Sequence, residues 1–136
     1  MLALIAVTAT SILAAAGELQ VIRTYNVRDI VLTVLSETGE WTTGQNEFVL
    51  EFASATRKRL FPVVEPTLSA TLPAAGTRSL RSSAHLAPAD AEGRYVGTIT
   101  LPRAGEWTVA VVWSGAASKG SATFSIPVHT PMKGAR

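Results

Sequence analysis

The 136-residue sequence predicts an all-β fold, an antiparallel β-sandwich of about seven strands. Three observations lead there. Apolar residues recur at every second position in stretches such as "NEFVLEFA" and "WTVAVVW", the repeat of a pleated strand with one buried face. Glycine, proline and other turn formers punctuate the chain at intervals of about 8 to 12 residues, the spacing of turns between short strands. No stretch of the body of the chain carries the repeat of an amphipathic helix.

The opening, "MLALIAVTATSILAAAGE", holds an uncharged run over residues 2–16 that ends in Ala14, Ala15 and Ala16 before Gly17. An apolar core followed by an A-x-A-like site reads as a signal peptide over residues 1–16, and the run falls short of the roughly 20 residues a membrane-crossing helix needs. No Lys or Arg precedes it, so a trimmed membrane anchor is the alternative. Residues 17–27, "GELQVIRTYNV", read as a polar-mixed lead-in, and the folded domain is expected over residues 28–128.

Within that domain "IVLTVLSETGEW" is an apolar run stopped by the turn formers Thr38 and Gly39, which makes it a strand. "NEFVLEFA" sets Phe48, Leu50 and Phe52 on one face against Glu47, Val49 and Glu51 on the other. The basic "TRKRLFP" interrupts, and "PTLSATLP" then alternates Leu68, Ala70 and Leu72 with hydroxyl residues between prolines, which fit the ends of a strand because they donate nothing to the ladder. "LRSSAHL" places Leu80, Ala84 and Leu86 at even spacing and predicts one weak, edge-like strand. "RYVGTITL" and "WTVAVVW" follow, joined by "PRAG", a hairpin signal in which Gly105 is expected at positive φ. "SATFSIPV" closes the domain with Ala122, Phe124, Ile126 and Val128 on one face, and residues 129–136 read as a flexible tail. Strands in this number and spacing indicate a sandwich of immunoglobulin-like type. In such folds a tyrosine at a corner sends its hydroxyl to an upstream backbone group, a role that suits Tyr95 with Asp90 and Gly93 before it. Gly97 stands where antibody domains carry cysteine, so packing must replace the disulfide, with Trp107 and Trp113 as the bulk.

Composition narrows the function. With 47% apolar and 16% charged residues the chain is too hydrophobic to stay disordered. A net charge of +2 with no continuous basic stripe argues against nucleic acid. The absence of cysteine removes disulfides, thiol catalysis and thiolate metal sites. No G-x-S-x-G elbow or H-E-x-x-H helix is present, Asp90, Glu92 and Glu106 lie at turns, and neither histidine has a visible catalytic partner. No enzyme and no cofactor are expected.

The order "GEWTTGQNEFVLEF", a proline-flanked strand, "EGRYVGTITLPRAGEWTVAVVW" and "GSATFSIPV" resembles the YtkA-like domain, related to FixH-type proteins, over residues 28–128. The resemblance implies a small non-enzymatic sandwich, periplasmic or extracellular or else membrane-anchored and facing outside. It further implies an accessory or interaction module, with another envelope protein as partner, in copper or heavy-metal handling or cytochrome oxidase assembly. The alternative is a generic exported immunoglobulin-like binding module with no metal role. Family members often carry Met-Pro-x-Met after the third strand, where thioethers suit Cu(I). Here the matching residues 72–76 are "LPAAG".

The remaining metal candidates are His129 and Met132, three apart in "VHTPMKGAR", and His85; the plainer reading is a frayed terminus and a surface histidine. Arg57, Lys58 and Arg59 form a basic loop that suits anionic lipid or an acidic partner, or is simply solvated. Trp41 is either an exposed interface aromatic or a cap on the sandwich.

Overall fold

The computed structural model describes residues 18–73, 78–114 and 120–131. They form two packed sheets, the β-sandwich that the alternation predicts. Eleven strands are present among the described residues: β1 (Gln20–Val27), β2 (Ile30–Ser36), β3 (Trp41–Thr42), β4 (Gly44–Ser54), β5 (Arg59–Leu60), β6 (Val64–Leu72), β7 (Leu80–Ser83), β8 (His85–Pro88), β9 (Arg94–Leu101), β10 (Gly105–Ser114) and β11 (Gly120–His129). One sheet has the order β1-β2-β4-β9-β8, with β5 attached to β4; the other has the order β3-β11-β10-β6-β7.

The predicted inner faces meet between the sheets. Phe48, Leu50 and Phe52 from β4, Leu68, Ala70 and Leu72 from β6, Trp107, Val109, Val111 and Trp113 from β10, and Ala122, Phe124, Ile126 and Val128 from β11 form one buried cluster. The Phe52 ring stands edge-on to Trp113 of the opposite sheet at 5.4 Å, joining the layers, and edge-on to Tyr95 of its own sheet at 6.1 Å. Trp41 belongs to this core, fully buried and edge-on to Phe48 at 5.3 Å, so it caps the sandwich from within.

Several expectations change. The segment 17–27 is more than a lead-in, because Gln20–Val27 pairs with β2 through a two-residue turn in which Arg28 takes φ 56°. Its mixed polarity follows from its edge position, with Ile22 and Val27 partly buried against the core. From this edge Arg23 donates to the Ser125 carbonyl at 2.6 and 2.9 Å, and Tyr25 stacks on Phe124 at 5.3 Å. The outer edge of β11 is thereby covered instead of being left open to another chain.

"LRSSAHL" is two strands. Leu80–Ser83 pairs with β6, the Ala84 amide donates to the Leu68 carbonyl, and His85–Pro88 pairs with β9 in the opposite sheet. The even spacing survives because the chain stays extended while it changes sheet.

"PRAG" is a crossover and not a hairpin. Both edges of β9 are occupied, by β4 and β8, so β10 has no place beside it and pairs with β6 and β11 instead. Gly105 does have φ 145°, a backbone conformation that favours glycine, and the Leu72 side-chain end that a Cβ would meet at 2.9 Å could swing aside, so it is the φ that calls for glycine at the crossover. Pro66 lies inside β6 and not at its end, next to Glu65 at φ 50°, where the register with β10 slips by a bulge that spares the missing donor. At the other terminus β11 includes His129, so the tail begins one residue later.

Candidate functional site

Strand directions sort the loops into two ends. Residues 28–29, 55–58, 61–63 and 89–93 gather at one end, since Ile30 pairs with Ser54 and Glu51 with Arg94. Residues 37–40 and 102–104 lie at the other, where Gln20 pairs with Ser36 and Gly44 with Leu101.

The first end carries the basic loop and holds it firmly. The Asp29 carboxylate accepts from Ser54 Oγ at 2.8 Å, the Thr56 amide at 3.0 Å and Thr56 Oγ1 at 3.3 Å. Ser54 Oγ accepts in turn from the Arg57 amide at 3.1 Å, and the Ala55 amide donates to the Asp29 carbonyl. The chain turns tightly, with Lys58 at φ 59°, and returns as β5. The Phe61 amide donates to the Phe52 carbonyl at 2.7 Å, and the Tyr95 hydroxyl donates to the Val63 carbonyl at 2.9 Å. Tyr95 thus reaches an upstream backbone group as predicted, although the acceptor lies 32 residues back, and the bond fixes the approach to β6 instead of a local corner. Burial pushes its phenol above the ordinary pKa.

Between these anchors lies an open groove of about 510 Å³ lined by Ser54, Arg57, Arg59, Leu60, Phe61, Pro62 and Glu92. Arg57, Lys58 and Arg59 are exposed, and Arg28 stands in the adjoining turn. All ten carboxylate side chains of the sequence lie among the described residues, yet the ion pairs there are Arg94 with Glu51 at 2.8 Å and with Asp90 at 3.4 Å. The four cations at this end therefore have no carboxylate within salt-bridge distance.

Two predictions arise here. Removing one ordinary hydrogen bond by Tyr95→Phe should cost about 1 kcal/mol, read as a lower urea midpoint at unchanged slope. Asp29 has its pKa lowered below 3.8, first by the Ser54 hydroxyl, then by the Thr56 amide and, more weakly, by the Arg57 charge. A depressed folded-state pKa stabilises above the unfolded value, and that contribution is lost as pH falls through the folded value. The Thr56 and Arg57 amide resonances should titrate with a midpoint below 3.8, and the urea midpoint should fall over that interval more in the native protein than in Asp29→Asn.

The outward face of the first sheet holds a second feature. One register row runs Val21, Leu35, Val49, Val96 and Ala87 across five strands, apolar throughout. The rows beside it are polar: Thr24, Thr33, Glu51 and Arg94 on one side, Glu47, Thr98 and His85 on the other. Val49, expected to face outward with Glu47 and Glu51, does so and is nevertheless only 1% exposed, whereas Val21 at the end of the row is 54% exposed.

The metal candidates do not converge. His85 is exposed on β8 and His129 is exposed at the end of β11, in different sheets, while Met132 lies outside the described residues, as do residues 1–16 and residues 74–76 of "LPAAG". Among the described residues no group of three or more His, Asp or Glu side chains is placed to hold a metal ion. Comparison with protein-family models, with curated proteins and with solved structures gives no match.

Proposed function

We propose that this chain is a non-enzymatic, exported sandwich domain that acts by binding another envelope protein, as an accessory in copper or heavy-metal handling or cytochrome oxidase assembly. The observation that carries the interaction reading is the apolar row from Val21 to Ala87. A water-facing antiparallel sheet ordinarily alternates apolar in and polar out; this row departs from that pattern, and although Val49 at its middle is shielded by its own neighbours, Val21 and Ala87 at its two ends stay exposed for a partner to cover. Export is supported by the apolar run over residues 2–16 and its small-residue end. The immunoglobulin-like topology is supported by the strand order and by β3 lying parallel to β11, and the YtkA-like character by "GRY" and "LPRAGEW" in "EGRYVGTITLPRAGEWTVAVVW".

The separation of His85 from His129 favours an indirect part in metal handling, and it equally favours the second reading, an exported binding module with no metal role. Deletion in the native host separates the two. The first reading expects heightened copper sensitivity or reduced cytochrome oxidase activity, restored by the intact gene. Normal copper tolerance with normal oxidase activity leaves the generic module, and recovery of the protein in the cytoplasm defeats both.

A further inference from the structure

The basic end is built as a receptor for negative charge. Three consecutive cations repel one another, and Lys58 adds a residue with a side chain at φ 59°, a conformation that ordinary residues rarely adopt. The surrounding structure holds this arrangement from several directions: Asp29 and Ser54 at the turn, Phe52 at Phe61, and Tyr95 at Val63. Asp29 spends its oxygens on Ser54 and Thr56, and neither it nor Glu92 in the groove lies within ion-pair distance of the loop's cations. Leu60, Phe61 and Pro62 line the same groove as Arg57 and Arg59, so the cations border apolar surface.

We propose that this groove binds an acidic, extended segment of a partner protein, with Arg57, Lys58, Arg59 and Arg28 meeting its carboxylates and Leu60 and Phe61 receiving its apolar side chains. Arginine forks pair bidentately with carboxylates, and the cations at 57–59 outnumber the one carboxylate in the groove, Glu92, so the local field favours an acidic segment during encounter. A lipid surface is the poorer match. It is flat, whereas two of these cations line a groove, and the groove lies at the end of the sandwich opposite Gln20, where the chain enters the sheet. The 11 residues of β4 alone span about 36 Å between the two ends. This inference deepens the interaction-module reading and rests on it.

The test uses the full chain and a fluorescein-labelled peptide of alternating glutamate and leucine, with a glutamine-leucine peptide and phosphatidylglycerol vesicles as the other arms. The acidic peptide should bind, the glutamine peptide should not, and sodium chloride should weaken the binding because these charges are exposed to solvent. Replacing Arg57, Lys58 and Arg59 together by Gln should lower affinity about tenfold or more, and Glu92→Gln, which removes a like charge from the groove, should raise it about threefold. All four side chains are exposed, so unchanged urea midpoints should accompany these effects. Equal peptide affinity in the triple variant, or binding to the vesicles without binding to the peptide, would overturn the proposal. A copper or oxidase phenotype on deletion together with no peptide binding would sink this docking site while leaving the interaction-module reading standing.

Discussion

Trp107→Ala is expected to destabilise the protein by about 3–5 kcal/mol, through lost transfer energy and an unfilled cavity. Trp107 is fully buried, pairs in register with Ile126 on β11, and sits three residues past the crossover between the sheets. Its indole N–H donates to the Arg103 carbonyl at 2.9 Å, so one side chain both fills the core and closes the turn that feeds it. Trp107→Phe separates the two roles. It keeps most of the bulk and removes the donor, so its cost is that of one part-buried hydrogen bond. The alanine variant should therefore lose far more than the phenylalanine variant in urea denaturation. Stability unchanged in Trp107→Ala would contradict the packing described, and a loss of partner binding in its place would make the stretch an interface.

Gly93→Ala should rank next. Gly93 has φ 88°, a region that costs a residue with a side chain about 1–3 kcal/mol. A Cβ there would also lie 2.7 Å from the Phe61 carbonyl oxygen and 3.0 Å from that of Phe52, both backbone atoms that cannot swing aside. Relief of that contact must move the 61–63 segment, and with it the bond from the Phe61 amide to Phe52. A loss above the strain alone is expected, together with weakened binding of the acidic peptide, because the groove shares this segment. An alanine variant as stable as the native protein would show that residues 61–63 are not held as tightly as the geometry requires.

Strand formation and the inner face of the long central strands were legible in the sequence, because pleating makes side-chain direction a local property of every second residue. Leu68, Ala70 and Leu72, or Trp107, Val109, Val111 and Trp113, announce their burial without reference to any partner. Analogy with other sandwiches, and not alternation, suggested Tyr95 as a donor to upstream backbone, and the basic run turns the chain as expected, although its last residue, Arg59, already belongs to β5. Which strand lies beside which was decided only by the tertiary structure. "PRAG" specifies that the chain turns, but whether it returns to the same sheet depends on whether β9 has a free edge, and β4 and β8 occupy both. In the same way Leu80 through Leu86 keep their spacing across a change of sheet at Ala84, and Gln20–Val27 becomes a strand because β2 and β11 offer it an edge to cover. The two candidate surfaces are of this second kind. Val49 joins an apolar row through neighbours on other strands, and the Arg28–Asp29 turn is brought to the end that carries residues 57–59 because Asp29 bonds Thr56 across 27 residues. A hydrogen-bond ladder selects its partner from the whole chain, so what is built by pairing cannot be read from any one segment.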